Sequence, residues 1–93
     1  MDLKTDPEIH ISSIVVHTHP DHRAAVVEQI IALDCEIAPT DGDENRLVVI
    51  VERHSDREVA DTLDSLHAIR GVLSALLVYH HAEPASALEE LVQ

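Results

Sequence analysis

The sequence predicts an α+β domain with elements in the order βαββαβ, folded as a four-stranded antiparallel sheet with two helices on one face. Three observations predict it. Two stretches of helical period alternate with short apolar runs rich in Val, Ile and Leu. The two halves echo each other, Val26, Ile30 and Leu33 in the first helix matching Val59, Leu63 and Leu66 in the second at one constant offset. The length, 93 residues, suits one domain. A split βαβ of this size is the ferredoxin-like arrangement. Right-handed crossovers then make strands 1 and 3 central, with strand 4 beside 1 and strand 2 beside 3. The domain is expected over residues 9–81, with residues 1–8 disordered before it. Residues 82–93 form a tail that can make a short amphipathic helix.

The first strand is expected from Ile9 to His17, centred on Ile14-Val15-Val16, with two serines lowering its hydrophobicity. Thr18-His19-Pro20-Asp21 reads as a helix start. Pro20 suits the first helical position, where a missing N–H costs nothing, and Asp21 complements the helix dipole. Helix 1 runs to about Leu33, with Ala24, Val26, Val27, Ile30, Ile31 and Leu33 on one half of its wheel. Asp34 ends it. Cys35-Glu36-Ile37-Ala38 is a short second strand, and Pro39 places it at an edge.

Asp41-Gly42-Asp43-Glu44-Asn45 is a polar turn. Arg46 to Arg53 follows as the surest strand, β-branched at its centre. Ser55 and Glu58 have capping-box spacing for helix 2, which buries Val59, Leu63, Leu66 and Ile69 and stops at Gly71. The last strand, Gly71 to His80, is apolar at both parities, so it needs cover on both faces or offers one to a partner.

Composition narrows the function classes. There is no Trp and no Phe, so the core is aliphatic, and a chain of this size buries about 60–70% of its unfolded surface. A net charge of −12 argues against nucleic acid and anionic membrane surfaces and would attract a cationic peptide. One cysteine, Cys35, excludes an intramolecular disulfide and reads as a buried small residue. The N-terminal stretch has no apolar segment of signal-peptide type, and no run approaches the roughly 20 residues of a membrane span. A cytoplasmic protein without membrane insertion is expected.

In each strand one parity must face the helices. The inward set is expected to be Ile14 and Val16, then Leu47, Val49 and Val51, then Leu73, Ala75, Leu77 and Tyr79. That leaves Ser13, Val15, His17, Val48, Ile50, Glu52, Ser74, Leu76, Val78 and His80 facing out. Such a surface is too apolar for a solvent face and calls for a partner, a second copy or the C-terminal tail.

His17-Thr18-His19-Pro20-Asp21-His22 matches H-x-H-x-D-H and resembles the zinc signature of the metallo-β-lactamase superfamily. The resemblance covers six residues. That superfamily needs a far longer chain and further ligand loops, and it has glycines where this sequence has Arg23-Ala24-Ala25. Zinc binding through this segment therefore stands as a remote alternative, at most adventitious Zn²⁺ or Ni²⁺. With two glycines there is no phosphate-cradling loop, and no serine has a nucleophile-elbow context. No enzymatic activity, cofactor or functional metal is expected.

A wider resemblance spans residues 11–82. Ser13-Ile14-Val15-Val16, Cys35-Glu36-Ile37, Leu47-Val48-Val49-Ile50-Val51-Glu52, Gly71-Val72-Leu73 and Leu77-Val78-Tyr79-His80, in this order and spacing, resemble the NapD family of maturation chaperones for the periplasmic nitrate reductase. The resemblance implies a ferredoxin-like fold and binding of the twin-arginine signal peptide of the reductase catalytic subunit, held back from export until its cofactor is loaded. The expected peptide site is an apolar platform of Val15, Val48, Ile50, Leu76 and Val78. Glu52, and second to it Glu36, would meet the arginines, while Tyr79 and His80 shape the rim. A monomer or weak homodimer is expected. The alternative is a regulatory or assembly module of ACT-like type, which needs a glycine-bearing loop after strand 1 that Thr18-His19-Pro20-Asp21 does not supply.

Overall fold

The computed structural model describes residues 8–39 and 45–84. Strict alternation builds its first strand, β1 (Glu8–Thr18). His10, Ser12, Ile14, Val16 and Thr18 are buried, and the residues between them are more exposed. A 3₁₀ turn at Pro20–His22 leads into helix α1 (Arg23–Ala32). The expected start signal holds: Pro20 opens the turn, and His19 Nδ1 accepts the Asp21 N–H at 3.2 Å. The helix ends at Leu33, and Asp34 takes the left-handed conformation, φ 64°, that a short polar side chain tolerates.

Strand β2 (Glu36–Ala38) follows, then β3 (Arg46–Arg53), helix α2 (Asp56–His67) and β4 (Val72–Pro84). All pairings are antiparallel, in the order β2-β3-β1-β4. This is the ferredoxin-like fold expected, with β1 and β3 central. Two boundaries differ from expectation: β1 already includes Glu8, and β4 runs on to Pro84 because its last residues pair with the start of β1. Residues 41–44 of the turn expected at 41–45, and residues 85–93 of the tail expected at 82–93, lie outside the described residues.

The core is aliphatic. Ile14, Val16, Leu47, Val49 and Val51 rise from β1 and β3 to meet Val26 and Ile30 of α1 and Leu66 of α2, with Cys35 and Ala75 at its margins. In α1 the buried stripe is narrower than the wheel suggested. Val27 and Leu33 are half-buried, while Ile31 is 60% exposed and Ala24 is exposed. A ten-residue helix lying on a narrow sheet covers only the positions directly beneath it. In α2 the core positions are Val59, Thr62 and Leu66. The Glu58 N–H donates to Ser55 Oγ at 3.1 Å, and Glu58 Oε1 accepts the His54 N–H at 3.2 Å. That second bond shifts the reciprocal capping bond one residue outward.

Arg53 ties the layers together at one end. Its Nη2 donates to Leu33 O at 2.7 Å and its Nη1 to Asp34 O at 3.3 Å, while Nε donates to Thr62 Oγ1 at 3.1 Å. The carbonyls left open at the end of α1 thereby gain a charged donor. Thr62 needs no other partner, since its hydroxyl donates to Glu58 O at 2.8 Å.

At the opposite end Gly71 enables a close approach. Its φ is +98°, and its carbonyl accepts the His19 N–H at 2.8 Å. A methyl group there would meet the Cβ of His22, with His22 Cγ at 2.9 Å and Val26 Cγ2 at 3.2 Å. Gly71→Ala combines an unfavourable backbone region with a steric overlap, so a loss of about 2–4 kcal/mol is expected in urea unfolding. A loss below about 0.5 kcal/mol would show that the turn shifts freely and that the approach is not a constraint.

Candidate functional site: the open sheet face

The face of the sheet away from the helices can be read row by row from the strand register. Ala38, Val48, Val15 and Leu76 lie across β2, β3, β1 and β4 in one row. The next row is Glu36, Ile50, Ser13 and Tyr79, and the one after it Glu52, Ile11 and His81. Directly opposed residues of antiparallel strands share a face, so these rows form one surface. Val15, Val48 and Ile50 are half-buried among their neighbours. Leu76 is 65% and Tyr79 54% exposed. The apolar platform expected from alternation is therefore assembled: Val15, Val48, Ile50 and Leu76 adjoin one another, with Glu36 and Glu52 at its rim.

Four assignments need correction, and three of them share one cause. The register of β4 against β1 shifts by one residue, from Ile14↔Leu77 to Ser13↔Tyr79, leaving Val78 as the extra residue of a bulge. Beyond the bulge every side chain changes face. Tyr79, expected under the helices, stands on the open face and stacks on His81 with ring centroids 6.4 Å apart. His80, expected on the open face, pairs with Ser12 on the helix side and leaves the proposed site. Val78 lies in the bulge itself, 55% exposed and outside the paired rows of the platform. A second shift, between His17 and Thr18, leaves Leu73 out of the inward set and exposed.

Beside the platform lies a recess of about 330 Å³ lined by Ile9, Asp34, Glu36, Ile50, Glu52, Arg53 and His54. Three carboxylates border it, and the guanidinium of Arg53 is already committed to the carbonyls behind it. Asp34, Ile9 and Ile11 were missed from sequence. Carrying the outward parity of β1 back from Ser13 reaches Ile11 and Ile9. Asp34 has no such signal, because it enters through the left-handed turn after α1.

The histidine-rich segment does not gather into a site. The imidazole of His17 contacts Ser74 Oγ at 3.1 Å across the sheet, His19 caps the 3₁₀ turn, and His22 packs against Gly71. No described helix is long and apolar enough to cross a membrane.

Residues 9–84 match the family model described as NapD protein. The chain is 31% identical over 74 residues to Chaperone NapD of Escherichia coli K12, covering 78% of this chain and 85% of that relative. It superimposes on the solution structure of the E. coli Tat proofreading chaperone protein NapD with TM-score 0.72 and 29% identity, over 85% of this chain and 84% of that one. A putative antibiotic biosynthesis monooxygenase from Chloroflexus aurantiacus shares the fold, with TM-score 0.53 at 15% identity, over 82% of this chain and 91% of that one.

Cys35 separates the two recess residues Asp34 and Glu36 but turns into the core. Burial pushes its thiol up from the ordinary value, and the nearby Arg53 guanidinium only partly opposes this. Alkylation by iodoacetamide at neutral pH is expected to run about 100-fold slower in the native protein than in urea. Equal rates would place the sulfur on the recess wall.

Proposed function

The chain belongs to the NapD family, and from that premise we propose that it is a cytoplasmic, non-enzymatic chaperone for the twin-arginine signal peptide of the periplasmic nitrate reductase catalytic subunit. It delays export of that precursor until cofactor loading and folding are complete. The observation that carries this reading is the adjacency, on one open face, of an apolar platform and a recess bordered by carboxylates.

A twin-arginine signal offers a basic start followed by an apolar segment able to become helical. The apolar side of that helix lies on Val15, Val48, Ile50, Leu76 and Tyr79, in the manner of a helix on a hydrophobic groove. Its guanidinium groups reach Glu36, Glu52 and Asp34, where charge-assisted bonds set orientation and register. The net charge of −12 draws a cationic peptide in from a distance. Because the carboxylates lie at a wet rim, they contribute more to orientation and encounter than to raw affinity.

The test is an NMR titration of isotopically labelled protein with a synthetic twin-arginine signal peptide of a nitrate reductase catalytic subunit. A second peptide has both arginines replaced by glutamine. Saturable shifts are expected on β1, β3 and β4 at open-face positions. The control peptide, or the double variant Glu36→Gln/Glu52→Gln, should bind about tenfold more weakly, about 1.4 kcal/mol. Absence of shifts at millimolar peptide, or shifts confined to the helices, would remove this reading.

A further inference from the structure

On the other side of the sheet, away from the proposed peptide face, three ligand-type atoms converge where β1, β4 and α2 meet. His10 Nδ1 lies 3.2 Å from His80 Nε2, His10 Nδ1 lies 3.1 Å from Asp56 Oδ1, and His80 Nε2 lies 3.0 Å from the same oxygen. Among the described residues this is the one group of three whose donor atoms come together in this way. We propose that His10, His80 and Asp56 form a binding site for a divalent first-row transition metal, with Zn²⁺ the ion whose preferences fit best.

The triangle has the dimensions of one face of a coordination tetrahedron. Metal–ligand bonds of about 2.0–2.1 Å at tetrahedral angles place neighbouring ligand atoms about 3.3 Å apart. The three edges here, 3.0 to 3.2 Å, need only a slight opening. Two imidazoles and one carboxylate are a borderline-soft set that suits Zn²⁺, Co²⁺ or Fe²⁺ better than Ca²⁺ or Mg²⁺.

The remaining ring nitrogens support this assignment. His10 Nε2 lies 3.2 Å from Glu8 Oε1, and His80 Nδ1 lies 2.8 Å from Ser12 Oγ. A carboxylate can only accept, so the tautomer of His10 with its proton on Nε2 donates to Glu8 and leaves the Nδ1 lone pair facing the triangle. The hydroxyl of Ser12, fully buried on the helix side of β1, can accept from His80 Nδ1–H, the tautomer that frees Nε2 for a metal. Metal-bound histidines characteristically have such partners on their far nitrogens. With His10 protonated on Nε2 and His80 on Nδ1, two lone pairs and a carboxylate oxygen face one another, and a bound cation makes that arrangement attractive.

Access is also suitable. The His10 side chain is 7% exposed and that of Asp56 82%, so the site has a buried floor and an open side. An apolar hollow lined by Val59, Ala60, Leu63 and Leu77 opens beside Asp56 and His80, with room for a water or another small fourth ligand. Bound metal would fasten the far end of β4 to β1 and to the first turn of α2. The site shares no residue with the platform or the recess, so it stands or falls apart from the peptide reading.

The test uses the full chain without a histidine tag, stripped with chelator and titrated with Zn²⁺ by calorimetry and with Co²⁺ by visible absorption. One equivalent is expected to bind at about micromolar or tighter affinity. NMR shifts should centre on His10, Ser12, Asp56 and His80. His80→Gln and Asp56→Asn should each weaken binding by about 10-fold or more, with an unchanged NMR fingerprint elsewhere. His19→Gln/His22→Gln, in the other histidine-rich segment, should change it less than about threefold. The proposal is overturned by absence of binding at about 100 μM metal, by full retention in the His80 and Asp56 variants, or by loss in the His19/His22 variant alone.

Discussion

One extra residue in β4 decides what each face of this sheet presents. Side chains alternate along a strand, so a single-residue insertion exchanges the two faces for everything beyond it. With Val78 as that residue, Tyr79 joins the open face and His80 passes beneath the helix layer. Unbulged pairing would have put a phenol over the first turn of α2 and an imidazole on the platform. The bulge thus adds an aromatic surface to one face and completes a polar cluster on the other.

The domain must hold these surfaces with little core. The hydrophobic core is aliphatic and small, and its largest members are Ile and Leu. Directional bonds at its edges supply definition that an aromatic core would otherwise give. Arg53 joins the end of α1 to β3 and α2 through four named acceptors counting Glu52 O. Bonds from a charged donor to carbonyls are stronger than neutral ones and lose little to desolvation when one edge stays wet. The same side chain backs the recess, so what braces the fold also bounds the candidate site.

Much of this was legible in the sequence. The strands around Val15 and Val49, the cap at Ser55, the turn at Gly71 and the order of the sheet all follow from periodicity and local stereochemistry. Alternation also placed Val15, Val48, Ile50, Glu52 and Leu76 on one face, because β1 and β3 are regular where these residues lie. It failed after Leu77, since a bulge has no glycine or other marker here and Val78 looks like any strand residue. It could not show that His10, Asp56 and His80 meet, because their separations reflect tertiary pairing and not a motif. The compact histidine segment at 17–22 drew notice instead, yet its ligand atoms do not converge: His17 contacts Ser74 across the sheet, while His19 and His22 pack edge to face. Ser12 seemed only to dilute the first strand, whereas its hydroxyl meets His80.

The position of β1 at the centre of the sheet also bears on how the chain acquires its shape. Its partner on one side, β3, is complete by Arg53, but its partner on the other is not finished until Pro84. During synthesis the β4 edge of β1 stays open while more than half of the domain is still to be made. Pairings between residues 61 to 76 positions apart, such as Val15↔Leu76 and Glu8↔Pro84, close large loops and make for slow folding. A protein read as a guardian of unfinished partners is itself exposed to mispairing until its last strand has arrived.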